Sequence, residues 1–117
     1  MRALCILSNE MYWKIFTDAN TAEKAKKVLR TVTDILDFDC NVEKVEPYDK
    51  GGFVCTFSCV SEATNWSESV LVAISEAQKV GRGWMLSGNI KQELDAWSND
   101  SSVSGVKNMH LVLVNNA

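Results

Sequence analysis

The stretch MYWKIFTDANTAEKAKKVLRTVTDIL, residues 11–36, decides the fold class. Its first seven residues are rich in aromatic and β-branched types, the composition of a strand. Trp13 and Ile15 fall on one side of that strand, and Tyr12, Lys14 and Phe16 on the other, because side chains alternate along extended backbone. After Asn20 the period changes. Ala25, Val28, Leu29, Val32 and Leu36 recur at helical spacing and make one apolar stripe, with Lys24, Lys26, Lys27 and Arg30 on the wet side. Asn20 and Glu23 suit a reciprocal capping box at the helix start.

The same order then recurs. Residues 40–48 form a weaker strand closed by Pro47, Asp49-Lys50-Gly51-Gly52 is turn chemistry, and residues 52–60 are the clearest strand in the chain. Phe53, Cys55, Phe57 and Cys59 make its heavier face and are expected in the core; Val54, Thr56, Ser58 and Val60 face the other way. A second helix begins at Asn65, which repeats the Asn-x-x-Glu device with Glu68. Its stripe is Trp66, Val70, Ala73, Ile74 and Ala77, and Gly81 suits a left-handed C-terminal cap. Residues 83–87 supply a fourth strand, with Trp84 and Leu86 opposite Met85.

The expected fold is therefore α+β, a ferredoxin-like βαββαβ arrangement with both helices on one face of an antiparallel sheet. One domain spans 1–117, with its core in 11–88. Residues 1–10 either pair as an extra strand through Asn9-Glu10 or form a loose extension. In the C-terminal addition, 89–117, Ile90, Leu94 and Trp97 fit one side of a short helix, and 99–105 reads as a polar loop. Residues 106–114 form a final strand that extends the sheet, with Met109, Leu111 and Leu113 facing one way.

Twelve Lys and Arg against fifteen Asp and Glu give a net charge of −3 over 117 residues. That balance gives no bulk attraction to nucleic acid or to an anionic membrane, and suits a basic partner. The apolar run at residues 3–7 is too short for a secretory signal. No stretch approaches the ~18 residues of a membrane span. A cytoplasmic protein is expected. Cys55 and Cys59 share a strand, ~13 Å apart, and cannot bridge each other, since a disulfide needs Cα atoms within ~7 Å. Cys40 can approach either across the hairpin, but reduced core thiols are the expected state.

Catalytic equipment is sparse. His110, the single histidine, has Asn108 and Val112 as its nearest neighbours on its own strand face, and reads as a surface or edge-strand residue. Gly81-Arg82-Gly83 lacks phosphate-loop spacing and precedes a strand. No metal or cofactor is expected. Asp34, Asp37, Asp39, Glu43, Glu46 and Asp49 crowd a helix end and a hairpin; they read as a solvated acidic rim or as an acidic docking patch. Because the helix dipole disfavours negative charge at that end, something else should compensate them. Trp13 and Trp84 are expected in the core, whereas Trp66 and Trp97 are either interface anchors or buried against the last strand. Lys50 to Phe57, KGGFVCTF, faintly echoes a motif of RNA-recognition domains. Against it stand Cys55 at the middle aromatic position, the negative charge, and strands without clustered basic residues. An RNA- or small-ligand-binding module is the alternative reading.

The YWKIF strand with the amphipathic helix after it, the GGFVCTFSC strand, Gly81-Arg82-Gly83-Trp84, Ser87-Gly88, Trp97 and the closing Gly105-Val106 strand span residues 11–117. Together they resemble the CdiI-type immunity proteins of bacterial contact-dependent growth inhibition and related polymorphic toxin systems. The resemblance implies a non-enzymatic protein that binds the C-terminal toxin domain of its own system, often a nuclease with a basic cleft. It implies inhibition by occlusion and supplies no fixed binding residues. The residues above, with Trp97 as an apolar anchor, are therefore candidates from this sequence alone.

Overall fold

The computed structural model describes residues 10–115. The expected pairing of residues 3–7 lies outside them. Strand β1 (Glu10–Thr17) leads into helix α1 (Ala22–Ile35), hairpin strands β2 (Cys40–Pro47) and β3 (Phe53–Val60), and helix α2 (Trp66–Val80). Five strands follow: β4 (Gly81–Arg82), β5 (Met85–Ser87), β6 (Glu93–Ser98), β7 (Asp100–Ser101) and β8 (Val106–Val114). The fold is α+β. Six strands form one antiparallel sheet in the order β2-β3-β1-β8-β6-β5, while β4 and β7 pair separately.

Three expectations change at the C-terminal end. The strand expected at 83–87 is only three residues long and lies at the sheet edge. The place beside β1 belongs to β8, which therefore fills the sheet interior instead of extending it. The short helix expected around Ile90–Leu94–Trp97 is a strand, β6, because Leu94, Ala96 and Ser98 are buried in alternation with Asp95 and Trp97. Small Ala96 and polar Ser98 hide that period of two in a hydropathy reading. Within 99–105, the expected polar loop, Asp100–Ser101 pairs with Gly81–Arg82, and Val103 is buried.

The two helices pack on one face of the sheet, against each other and a shared core. Trp13, at the centre of β1, is fully buried, stacked on Phe57 with ring centroids 5.9 Å apart and met edge-on by half-buried Trp84 at 6.0 Å. Its indole N–H has no hydrogen-bond acceptor. Met11 and Ile15, Cys55 and Cys59, and Met109, Leu111 and Leu113 line the same layer.

Helix α1 presents Ala25, Leu29, Val32 and Leu36 to this layer, as its spacing predicts, with Val28 half-buried at the margin. Its N-cap is Thr21, whose hydroxyl accepts from the Lys24 N–H, so the cap lies one residue beyond the expected Asn20. Helix α2 does begin at Asn65, whose side chain accepts from the Glu68 N–H at 2.9 Å. Its buried face is Ser69, Ala73, Glu76, Ala77 and Val80, so the helix is turned from the expected stripe. Trp66, Val70 and Ile74 sit half-buried at its flank. Gly81 is not left-handed; its backbone is extended. A Cβ there would lie 2.3 Å from Met109 Cε and 3.2 Å from the Asp100 carbonyl oxygen, so a larger residue would have to displace the end of the Met109 side chain. Gly52, at φ +78°, closes the β2–β3 turn, where a Cβ would lie 1.9 Å from the Thr17 carbonyl oxygen.

Replacing Trp13 by Ala should lower unfolding free energy by ~3–5 kcal/mol. Trp13→Phe should cost only ~1–2 kcal/mol, because the stack on Phe57 remains and a buried donor without an acceptor is removed. Urea unfolding of both variants checks this; equal losses would contradict it.

Candidate binding surface

Among the described residues no helix covers the face of the sheet opposite α1 and α2, although Val54 and Ser58 on it are buried, and strand register places its residues. Glu10, Tyr12, Lys14 and Phe16 of β1 sit beside Val60, Ser58, Thr56 and Val54 of β3. On the other side of β1, Tyr12, Lys14 and Phe16 sit beside Val112, His110 and Asn108 of β8. Trp97 and Asp95 of β6 adjoin His110 and Val112, and Met85 of β5 adjoins Trp97. Asn41, Lys44 and Glu46 supply the β2 edge, with Glu43 in a bulge between Val42 and Lys44.

An aromatic row crosses this face. Tyr48 meets Phe16 edge-on at 5.1 Å, Phe16 stacks toward Trp97 at 6.3 Å, and Trp97 lies flat on His110 at 3.8 Å. Trp97 is 39% exposed. His110 Nε2 and Asp95 Oδ1 are 2.7 Å apart. The histidine thus has the carboxylate partner its sequence neighbours lack. Among the described residues, no hydroxyl or thiol is hydrogen-bonded to that ring, so the pair lacks a nucleophile in contact. The same imidazole lies beneath the Trp97 ring.

The row is bordered by negative charge. Glu10, Glu43, Glu46, Glu93 and Asp95 outnumber Lys14 and Lys44 on this face. The Tyr12 hydroxyl donates to the Glu10 carboxylate, which pushes the phenol above its ordinary range, helped by partial burial and the negative charges of Glu10 and Glu43. A pKa raised in the fold favours the protonated phenol. The stability it contributes is present below the ordinary phenol range and is lost as pH rises through the raised value.

The candidate residues fall into separate groups. Glu43, Glu46 and Trp97 belong to the uncovered face. Asp49 sits in the β2–β3 turn. Asp34, Asp37 and Asp39 lie at the α1 end. Asp37 is compensated there by the Lys79 ammonium, which also contacts buried Glu76 at 2.7 Å. Glu76 in turn accepts the Asp37 backbone N–H at 2.7 Å. This cross-helix knot supplies the compensation that the helix dipole asks for. The two carboxylates raise the Lys79 ammonium above its usual range, chiefly through the hydrogen bond to Asp37. Asp37 thus links the α1 end to α2 while its side chain stays largely exposed. Sequence reasoning missed Phe16, Tyr48, His110 and Asp95 as members of one surface. Alternation along β1 put Phe16 on the correct side, but only the β8–β6 pairing brings the others to it.

A cavity of about 510 Å³ opens on the helix side, between α2 and the outer strands, lined by Ile74, Ala77, Trp84, Leu86 and Leu94. Its one cation, Arg82, is paired with Asp100 at 3.3 Å. Its lining is mainly apolar. Among the described residues no group of His, Cys, Asp or Glu is arranged to hold a metal ion, and no helix is long and apolar enough to cross a membrane. No protein-family profile, curated protein or solved structure gives a significant match to the chain.

In a Tyr48→Phe background, Tyr12 should ionise above the ordinary ~10. Adding Glu10→Gln should move the transition down. Ultraviolet absorbance against pH reads both, and an unmoved transition would contradict the assigned hydrogen bond.

Proposed function

We propose that this protein is a non-catalytic inhibitor that covers the substrate site of a basic toxin domain, most simply a nuclease, with the uncovered face of its sheet. The observation that carries this reading is the pairing of a half-buried aromatic row, exposed at Trp97, with an excess of carboxylates on one continuous surface. Such a surface resembles what a nuclease cleft is built to receive: rings that stack, within a negative field. Charge complementarity would speed encounter and reject acidic partners, while desolvation of Trp97 and Phe16 would supply affinity. The order β2-β3-β1-β8, with α1 and α2 on one side, supports a ferredoxin-like plan. In it β8 takes the fourth-strand position, and β6 and β5 widen the sheet. The widening contributes Trp97 and Asp95, so the added strands are part of the proposed surface. The likeness to CdiI-type immunity proteins fits the same mechanism and a cytoplasmic site of action.

A second reading rests on the same row: single-stranded RNA stacks on aromatic side chains of open sheets. The excess of carboxylates opposes it, because phosphate binding needs cations. A gel shift with generic RNA at low salt separates the two. The inhibitor reading predicts no shift, and a salt-sensitive shift would favour RNA.

The direct test is coexpression with a C-terminal toxin domain encoded beside this chain's own gene. Cells should survive with the chain and die without it; equal killing would contradict the proposal. In a binding assay, Glu43→Lys with Glu46→Lys should weaken the complex about tenfold, at roughly 1 kcal/mol or less for each charge, with a changed salt dependence. Trp97→Ala should cost ~1–2 kcal/mol or more. Affinity unchanged by all three substitutions would remove this face from the interface.

A further inference from the structure

Cys40 and Cys59 are Cα partners across the antiparallel β2–β3 pair, and their Sγ atoms are 2.8 Å apart. Facing residues in such a pair have Cα atoms ~4.5–5.5 Å apart, inside the range that disulfides span. Cys55 is differently placed. It faces Val45 in the register, and its thiol points to the Ala25 carbonyl oxygen at 4.0 Å. We propose that Cys40 and Cys59 form a reversible redox site, closing to a cross-strand disulfide when a low-molecular-weight disulfide of the glutathione type is the oxidant.

The two thiols are unequal, which orders the steps. Cys40 is half-exposed at the sheet edge, whereas Cys59 is buried. Cys40 is therefore the thiol an external reagent reaches. Its thiolate attacks one sulfur of the small disulfide, forming a mixed disulfide and releasing one small thiolate, which takes a proton. Cys59 then loses its proton and attacks Cys40 Sγ, and the second small thiol leaves. In sum, two protein thiols are oxidised to one disulfide, and one small disulfide is reduced to two small thiols.

The surroundings set the rate. Burial pushes both thiols above their ordinary range, Cys59 far more, and the Asp39 and Glu76 charges add to the effect on Cys40. Closure should therefore be slow near neutral pH and quicken as pH rises, because thiolate is the nucleophile. The thiol–thiol contact partly offsets the rise at Cys40 and adds to it at Cys59, which favours Cys40 as the first attacker. The bond would pin edge strand β2 to β3 along the stretch that carries Glu43 and Glu46. The assignment is independent of what binds the uncovered face.

The test is incubation of the folded full chain, and of its Cys55→Ser variant, with excess oxidised glutathione, followed by alkylation and peptide mass mapping. The expected result is loss of two free thiols in both proteins and one linked peptide joining Cys40 to Cys59. Dithiothreitol should reverse it, and it should form faster as pH is raised. Cys59→Ser should stop at a glutathione adduct on Cys40. In denaturant the preference for this pair should vanish. Retention of both thiols in the folded protein, or linkage of the folded chain through Cys55 or Cys5 instead, would overturn the proposal.

Discussion

The pairing of β1 with both β3 and β8 is the constraint on which the rest depends. It brings strands from opposite ends of the chain together at the centre of one sheet, with Trp13 facing Phe57 on one side and Leu111 on the other. Trp13 is fully buried beneath the helices, so β1 cannot shift by one residue without turning its core face to water. With that register fixed, the opposite faces of the same three strands are fixed as well. Phe16 comes from the first strand, Tyr48 from the hairpin, and Trp97 and His110 from the last third of the chain. The aromatic row is thus a consequence of the core pairing.

Charge distribution follows a similar division of labour. Carboxylates near the α1 end are spent partly on structure, since Asp37 and Glu76 share Lys79 and join the two helices. Among the described residues, those on the uncovered face make no ion pair with Lys or Arg, and Asp95 meets His110 instead. A single net charge of −3 conceals this asymmetry. The distinction matters for recognition, because a partner meets the local field and not the average.

Most of the first half was legible in the sequence. Period-two alternation in residues 11–17 separates the buried side from the exposed one, whereas in 53–60 both faces carry buried residues, Cys55, Phe57 and Cys59 on one and Val54 and Ser58 on the other; the apolar stripe of α1 matches its buried face. These segments carry large, regularly spaced side chains. The later segments carry weaker signals. Ala96 and Ser98 occupy buried strand positions that larger apolar residues usually mark. Glu76 is buried within α2 because Lys79 and the Asp37 amide satisfy it, a circumstance set by α1. Gly81 looks like a cap but serves close packing against Met109. The candidate surface was legible only in pieces. Trp97, Glu43 and Glu46 carried signals of their own, whereas the joining of His110 to Asp95 and Trp97 requires the β6–β8 register, which no local pattern encodes.

The central claim is that the sheet face opposite the helices is the recognition surface. Amide hydrogen exchange of the isolated protein and of a complex with a toxin domain of the proposed kind tests this most directly. The account predicts new protection concentrated in β1, β8 and β6 around Phe16, His110 and Trp97, with the helices little changed. Protection confined to α2 and the apolar cavity beside Trp84 would contradict it.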